Sequence, residues 1–129
     1  MRFLLPFLLL LPWAHLQAQR LYDASGRVIQ RYENGRIYDA QGRQSGRMDQ
    51  GSVYDGSGRL IGRMQNERVY DERGRLLGRL DGDRAYDDAG RALGHVKGER
   101  FYDASGRNIG RAEGVEQRLA MLHFFFALP

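Results

Sequence analysis

The stretch VYDGSGRLIGRM, residues 53–64, contains the motif that decides the fold. Its Tyr-Asp pair recurs every 16 residues without an insertion, beginning at Tyr22, Tyr38, Tyr54, Tyr70, Tyr86 and Tyr102. A Gly-Arg pair begins four residues after each tyrosine. A second glycine lies eight residues after the tyrosine in every unit except the first, which has Gln30 there. Because self-similarity at a fixed period is typical of repeat proteins, the chain is predicted to be six copies of one structural unit.

Each unit contains two turn signals separated by short segments. The pattern Asp-x-x-Gly, as in residues 55–58, favours a type I turn that a glycine with positive φ closes into a hairpin. The second signal is rich in Asn, Asp and Gly, as in residues 33–35. The intervening segments suit strands of about four to six residues, and their recurrent glycines disfavour a helix. Six units therefore predict about twelve short antiparallel strands.

The second segment of each unit does not alternate regularly. Ile61 and Met64 are three residues apart, which places them on opposite faces of a regular strand. A β-bulge at Gly62 would return both side chains to one face and project Arg63 outward. A second interpretation is that a neighbouring unit packs too closely at Gly62 for a side chain. The two interpretations are compatible.

A single hairpin is marginally stable in water, so the units must pack on one another. They either close radially around an axis or stack in a line, and a linear stack needs polar caps at both ends. The predicted fold is all-β, with 16-residue hairpins packed radially into a small closed assembly over residues 19–114.

The first 18 residues have the layout of a secretory signal peptide. Arg2 precedes an apolar run over residues 3–13, which is followed by small and polar residues. The run is too short for a membrane-spanning helix. We therefore predict cleavage after Ala18 and a periplasmic or extracellular protein without a transmembrane segment. An uncleaved membrane anchor and a buried N-terminal helix are the alternatives.

The C-terminal segment, residues 115–129, departs from the repeat. Good helix formers follow Val115, and three consecutive phenylalanines stand at positions 124–126. Such a run must be buried or must bind something apolar. We predict that this segment is a plug and cap of the repeat domain. Membrane insertion and a partner interface are the alternatives.

These features resemble the five-fold β-flower family of small exported bacterial proteins. The resemblance rests on the tandem hairpins, on NIGR at residues 108–111, on the Gly114-Val115 step and on the closing phenylalanine run. It implies short hairpins arranged radially with pseudo-symmetry, and it implies no activity. The Tyr-Asp-x-x-Gly-Arg motif also resembles the YD repeats of large secreted bacterial shell and toxin proteins, whose repeat period is longer.

Composition and motifs argue against several functional classes. The chain has no cysteine, which excludes disulfides, cysteine-type zinc sites and acylation on an N-terminal cysteine. Residues 19–129 carry 19 basic and 16 acidic residues with the two signs interleaved, a pattern that disfavours nucleic-acid binding. The Asp-x-x-Gly turns lack the acidic spacing of a calcium loop. No metal and no cofactor are predicted.

Catalysis is also disfavoured. Without the signal peptide the chain keeps only His95 and His123, and no Gly-x-Ser-x-Gly motif is present. His95 takes the place of a recurring arginine at what we expect to be an exposed site, and His123 is expected to be a packing or interface residue. An active site needs an asymmetric cluster of groups, whereas this chain is nearly uniform. The sequence therefore predicts a non-enzymatic protein.

The remaining hypotheses are a structural or interaction module and a multivalent carbohydrate-binding or envelope-polymer-binding module. The expected partners are accordingly a glycan or another envelope protein. In the first hypothesis tyrosine packs between hairpins, aspartate caps the turn and arginine pairs with aspartate. In the second, tyrosine stacks on a sugar while Asp and Arg bind its hydroxyls. The candidate ligand-facing residues are Tyr22, Tyr38, Tyr54, Tyr70, Tyr86, Tyr102, Arg27, Arg43, Arg59, Arg75, Arg91 and Arg107, with Arg63 and its equivalents also projecting outward.

Overall fold

The computed structural model describes residues 19–129, so the predicted signal peptide lies outside the described residues. Twelve strands and one helix follow in chain order: β1 Arg20–Asp23, β2 Val28–Glu33, β3 Arg36–Asp39, β4 Gln44–Asp49, β5 Ser52–Asp55, β6 Leu60–Gln65, β7 Arg68–Asp71, β8 Leu76–Asp81, β9 Arg84–Asp87, β10 Ala92–Lys97, β11 Arg100–Asp103, β12 Asn108–Glu113 and α1 Gln117–Phe126. Each 16-residue unit therefore forms one hairpin with a four-residue and a six-residue strand. The predicted strand number and strand lengths are confirmed.

The strands form a closed antiparallel barrel. Each strand pairs with its neighbours in the chain, and β1 pairs with β12 from Arg20 opposite Glu113 to Asp23 opposite Gly110. Because the ring closes, no strand of residues 19–129 has an unpaired edge. The prediction of a radially closed assembly is confirmed, and the linear stack is wrong.

The two ends of the barrel have different turns. At one end, which we call the Asp-turn end, the Tyr-Asp motifs enter their turns: Oδ1 of Asp39 accepts the backbone N–H groups of Gln41 and Arg43, both at 2.9 Å. The opposite end, which we call the helix end, has two-residue turns such as Asn34-Gly35, with φ of 51° and 78°. Positive φ at both central residues is what a type I′ hairpin turn requires. The two turn signals of the sequence thus mark opposite ends of the barrel.

The strands alternate between the inside and the outside of the barrel. In the four-residue strands the aliphatic or aromatic residue before each tyrosine faces the lumen and is at most 1% exposed: Leu21, Ile37, Val53, Val69, Ala85 and Phe101. In β6, Gly62 pairs with Val53 while Leu60 pairs with Tyr54, so Ile61 is the extra residue of a bulge. The predicted bulge is therefore present, one residue before the glycine, and Ile61 and Met64 both pack against the core.

Helix α1 begins at the helix end and runs into the lumen. Near its start the side-chain amide Nε2 of Gln117 donates to the carbonyl of Gly82 at 3.4 Å. One turn later Ala120, Met121 and Leu122 are fully buried in the same core cluster as the inward-facing strand residues. The helix ends at Phe126, and Ala127 adopts a left-handed conformation that turns Leu128 back into the core. The C-terminal segment is thus the plug that the sequence predicts.

Five glycines of the six-residue strands lie directly against the C-terminal plug. A Cβ on Gly110 or on Gly94 would lie 2.5 Å from Cε1 of Phe124 or Phe125, respectively. On Gly78 it would lie 2.7 Å from Cε1 of Phe126. Successive tail residues therefore contact successive hairpins, and the series ends with Leu128 against Gly62 and Pro129 against Gly46. The second glycine of each unit is a close-approach site for the tail.

The first hairpin fills its own part of the lumen. Gln30 replaces the glycine, is only 5% exposed, and accepts a hydrogen bond from the Tyr32 hydroxyl at 2.8 Å. Burial raises the pKa of the Tyr32 phenol, which keeps it a neutral donor. Five of the six hairpins therefore contact the plug through a glycine. In the first hairpin the buried Gln30–Tyr32 pair takes the place of that contact.

Among residues 19–129, the single helix is too short to cross a membrane.

Candidate functional site

The six tyrosines of the repeat lie on the outer wall of the barrel. Each follows an inward-facing residue in its strand, so its ring points outward. Tyr22 is 8% exposed and the other five are half-buried. The Tyr22 hydroxyl donates to Oε1 of Glu113 at 2.7 Å. The tyrosine rings therefore lie at one level of the outer wall, between the two ends of the barrel, and do not fill a space between hairpins.

An arginine or histidine from the preceding hairpin covers one face of the tyrosine ring in five of the six units. In four of them the guanidinium carbon lies 3.9–4.5 Å from the ring centroid, in the pairs Arg31–Tyr38, Arg47–Tyr54, Arg79–Tyr86 and Arg111–Tyr22. His95 takes the arginine position in the fifth and stacks on Tyr102 at 5.1 Å. Cation–π contacts of this kind each contribute about 0.5–1 kcal/mol at exposed sites. They also join neighbouring hairpins around the wall.

The arginines of the Gly-Arg pairs lie elsewhere, at the Asp-turn end. Three of them, Arg43, Arg75 and Arg91, have side chains that are 75–81% exposed. Each pairs with the aspartate four residues earlier, at 3.2–3.8 Å. The structure therefore does not bring the two predicted sets, the tyrosines and these arginines, into one cluster. The turn-capping role of aspartate and its pairing with arginine, as the first hypothesis has them, are both present.

Backbone hydrogen bonds hold the turn aspartates in their charged form. In Asp23, Asp55, Asp71, Asp87 and Asp103 the carboxylate accepts the N–H group of the arginine four residues later. This bond is the largest cause that lowers the pKa of each carboxyl below its usual value of 3.8. These carboxylates are thereby engaged by their own turns.

A second set of arginines lies two residues before the tyrosines. These arginines are not among the candidate ligand-facing residues predicted from the sequence. Arg20, Arg36, Arg68, Arg84 and Arg100 begin their strands, and all five are exposed. Each is the direct cross-strand partner of an arginine or histidine in its own hairpin: Arg31, Arg47, Arg79, His95 or Arg111. The third hairpin differs, with Ser52 opposite Arg63. The outer wall thus carries ten arginines and one histidine at one level, which we call the cation belt.

The acidic residues lie towards the two ends of the barrel, in the turns, at the last positions of strands or just before the helix. The helix end holds eight of the 16. Several of them border the cation belt: Glu113, Glu33 and Asp81 lie opposite Arg20, Arg36 and Arg84. Arg31, Arg47 and Arg79 also pair with the acid two residues later, at 2.9–3.9 Å. The belt is therefore rich in arginine, and acids adjoin it on the side of the helix end.

Two equivalent grooves cross the cation belt. Arg100, Arg111 and Asn108 line the first, together with the turn over residues 23–26. Arg68, Arg79 and Leu76 line the second, together with the turn over residues 87–90. Each groove therefore combines a cross-strand arginine pair with the Asp-turn of the next hairpin around the ring.

The two histidines have packing roles. His95 is half-buried against Tyr102, so it replaces an arginine within the stack rather than standing free at an exposed site. His123 packs edge-on against Phe124, and burial lowers the pKa of its imidazole. Within residues 19–129 no group of His, Asp and Glu side chains has the arrangement of a metal site.

The belt arginines could have been found from the sequence only in part. The segments RIYD, RVYD, RAYD and RFYD repeat an arginine two residues before tyrosine. Its significance depends on register, however, because the bulge decides which residue of the next strand lies opposite. Neither the arginine pairs nor the grooves can be read from the repeat alone.

A closed ring of repeated hairpins around an apolar C-terminal plug defines a small all-β repeat module. The family model described as 5-fold beta-flower protein matches residues 18–128. The chain therefore belongs to the 5-fold β-flower family, as its motifs suggest. This family is not a known enzyme family. A comparison with curated proteins gave no match.

Proposed function

We propose that this protein is an exported, non-enzymatic interaction module that binds a component of the cell envelope through its cation belt. The observation that carries the proposal is that the plug occupies the lumen, so the repeated polar side chains lie on the outer wall. A repeated surface offers several weak contacts, and their combination gives avidity. Export is part of the proposal and rests on the layout of residues 1–18.

The belt has the properties of a binding surface rather than of a packing surface. Arginine has a planar guanidinium with five donors and is suited to carboxylate and phosphate groups. The arginine pairs place like charges directly opposite one another, which is unfavourable for folding. Ion pairs with Glu33, Asp49 and Asp81 offset part of this repulsion for Arg31, Arg47 and Arg79.

Carbohydrate binding is the alternative form of this proposal. The tyrosines are on the outer wall, where a sugar could reach them, yet one ring face is covered by an arginine or histidine in five units. We therefore assign the main contacts to arginine rather than to tyrosine. Stacking of a neutral sugar on the rings is the weaker version of the hypothesis.

Co-sedimentation with isolated envelopes tests the proposal. The purified chain is mixed with envelopes of its native bacterium and compared with two charge-matched variants. The belt variant has Arg47→Gln, Arg79→Gln and Arg111→Gln, and the rim variant has Arg43→Gln, Arg75→Gln and Arg91→Gln. Both lose three charges at exposed or half-exposed positions.

We expect the wild type and the rim variant to sediment with the envelopes and the belt variant to remain in solution. Equal sedimentation of all three proteins, or loss in the rim variant alone, would contradict the belt as the binding surface. The mass of the protein recovered from the native cells tests export separately, since a cleaved protein begins at Gln19.

A further inference from the structure

We infer that the two grooves of the cation belt bind acidic groups of an anionic polysaccharide. The inference rests on the proposed function, because it names the ligand of the same surface. Its support comes from the register of the strands, from the charges around each groove and from the spacing between the grooves.

The first groove holds a cluster of positive charge. Arg100 lies directly opposite Arg111 on one side, which places their Cβ atoms about 5 Å apart. On its other side Arg100 lies opposite Lys97. The N–H groups of two guanidiniums at this distance can hold one carboxylate or phosphate between them. An anion bound there would relieve the repulsion among the three cations.

The second groove repeats this arrangement two hairpins away. Arg68 lies opposite Arg79 on one side and opposite the neutral Gln65 on the other. In the other hairpins that begin with arginine, an acid takes the outer position: Glu113 opposite Arg20, Glu33 opposite Arg36 and Asp81 opposite Arg84. In both grooves the strand-starting arginine therefore has no acidic cross-strand neighbour. In the second groove, however, Nη1 of Arg79 pairs with Oδ2 of Asp81 at 3.8 Å.

The aspartates at the groove walls are held by their own turns, so their carboxylates do not pair with the groove arginines directly. Oδ1 of Asp23 accepts the N–H groups of Ser25 and Arg27, at 3.0 and 2.9 Å. In the second groove Oδ2 of Asp87 pairs with Nε of Arg91 at 3.2 Å. Asp88 adds an exposed acid there, where the first groove has Ala24. We therefore expect the first groove to bind an anion more tightly than the second.

The spacing of the grooves favours a polysaccharide over a nucleic acid. Four strand steps separate them, which is roughly 19 Å along the wall. A nucleic acid strand carries a charge about every 3.4 Å, and most of its phosphates would lie between the grooves or near the acidic helix end. Single-stranded nucleic acid also needs open aromatic faces, which the stacked cations reduce. A flexible glycan with widely spaced acidic groups can reach both grooves.

Binding to polygalacturonate, a polymer of acidic sugars, tests the inference. Affinity is measured by titration calorimetry at low and at physiological salt, with dextran as the neutral polymer and a 20-base-pair DNA duplex as the competing class. The groove variant has Arg68→Gln and Arg100→Gln. The control variant has Arg43→Gln and Arg75→Gln, which remove the same charge at the Asp-turn end.

We expect salt-sensitive binding of polygalacturonate, no binding of dextran, and an affinity at least about tenfold lower in the groove variant. The control variant should remain within about twofold of the wild type. Equal losses in both variants, or tighter binding of the duplex than of polygalacturonate, would overturn the inference. Belt-dependent envelope binding without polygalacturonate binding would overturn the ligand class while the proposed function stands.

The melting temperature of the groove variant gives a second readout. Because Arg68→Gln and Arg100→Gln remove repulsion between like charges, we expect it to rise by roughly 1–4 °C at low salt in the free protein. A fall in the melting temperature would instead assign these arginines a structural role and contradict the inference.

Discussion

At the residue scale, the glycines of the six-residue strands are defined by what approaches them. A Cβ on Gly94 would meet the Phe125 ring and the backbone carbonyl of Tyr102, and neither can withdraw without moving the plug or the next strand. Gly62 is less constrained, because its Cβ would lie 3.0 Å from both Leu128 Cδ1 and the Tyr70 carbonyl. The space available for a side chain at this repeat position therefore differs from one unit to the next.

Substitution of these glycines by alanine should destabilise the protein in that order. We expect Gly94→Ala to lower the free energy of unfolding by about 3 kcal/mol and Gly62→Ala by about 1 kcal/mol, because overpacking forces rings and backbone to shift. Urea unfolding followed by circular dichroism measures both. Equal and small effects at the two positions would show that the tail does not press on Gly94.

Glu67 is a strained residue in a turn at the helix end. It has a φ of 66°, and the preceding Asn66 has a φ of 53°, so this two-residue turn contains no glycine. A left-handed conformation costs a non-glycine residue roughly 1–2 kcal/mol. In the corresponding turn of the fifth unit the positive φ belongs to Gly98, not to Glu99.

Glu67→Gly should therefore stabilise the protein, whereas Glu99→Gly should not. We expect a gain of roughly 0.5–1 kcal/mol for the first, after the added freedom of glycine in the unfolded chain is subtracted. Thermal melts of the two variants provide the comparison. A stabilisation by Glu99→Gly equal to that by Glu67→Gly would mean that surface charge, not backbone strain, is responsible.

At the element scale, the hairpin was largely predictable and its surroundings were not. The Asp-x-x-Gly signal correctly placed the turn at Asp55–Gly58, and Gly62 correctly indicated both a bulge and a close approach. The sequence could not show that Phe126 or Leu128 makes that approach, because a repeat period describes units and not the non-repeating segment that packs on them. The sequence also could not show that Arg100 lies opposite Arg111, because the strand register depends on the bulge.

The Asp-turns should make stability depend on pH in the acid range. The carboxyls of five turn aspartates have pKa values below 3.8, chiefly because a backbone N–H donates to each of them. The unfolded chain therefore takes up protons first, and the stabilisation is present above about pH 4 and lost as the pH falls through the folded-state pKa values. We expect the urea midpoint to fall as the pH is lowered below about 4.

Asp-to-Asn substitution in the turns tests the cause of this dependence. A variant with all five aspartates replaced should be less stable at pH 7 and should lose less stability in acid than the wild type. Asp88→Asn, at an exposed position within the turn over residues 87–90, is the control and should keep the wild-type pH dependence. An unchanged acid response in the five-site variant would assign it to other groups.

At the scale of the whole molecule, the ring and the plug depend on each other. The four-residue strands give the lumen a wall of small and large apolar residues, and Ala120, Met121 and Leu122 of the helix are fully buried against it. The sequence predicted the closed ring and the plug, but not the register that places arginine opposite arginine. The ring has six hairpins although the family is described as five-fold, and five of the six contact the tail through a glycine.

Deletion of residues 119–129 should abolish the folded state. Burial of a large apolar side chain contributes about 1.5–3 kcal/mol, and the segment supplies several, so the loss approaches the whole stability of a domain this size. We expect the truncated chain to aggregate or to lack a cooperative melt. Ala127→Gly, at an exposed position with a left-handed φ of 58°, should keep a cooperative melt at or slightly above the wild-type temperature. A soluble truncated protein with unchanged melting would instead indicate that the tail inserts into a membrane or binds a partner.

Nuclear magnetic resonance of the isotope-labelled protein can show directly whether successive tail residues fill the lumen against successive glycines. Phe124, Phe125 and Phe126 should show nuclear Overhauser contacts from their ring protons to the Hα protons of Gly110, Gly94 and Gly78, respectively, and the ring currents should displace those Hα resonances. Glycine Hα resonances at their ordinary positions, without contacts to the phenylalanine rings, would contradict this arrangement.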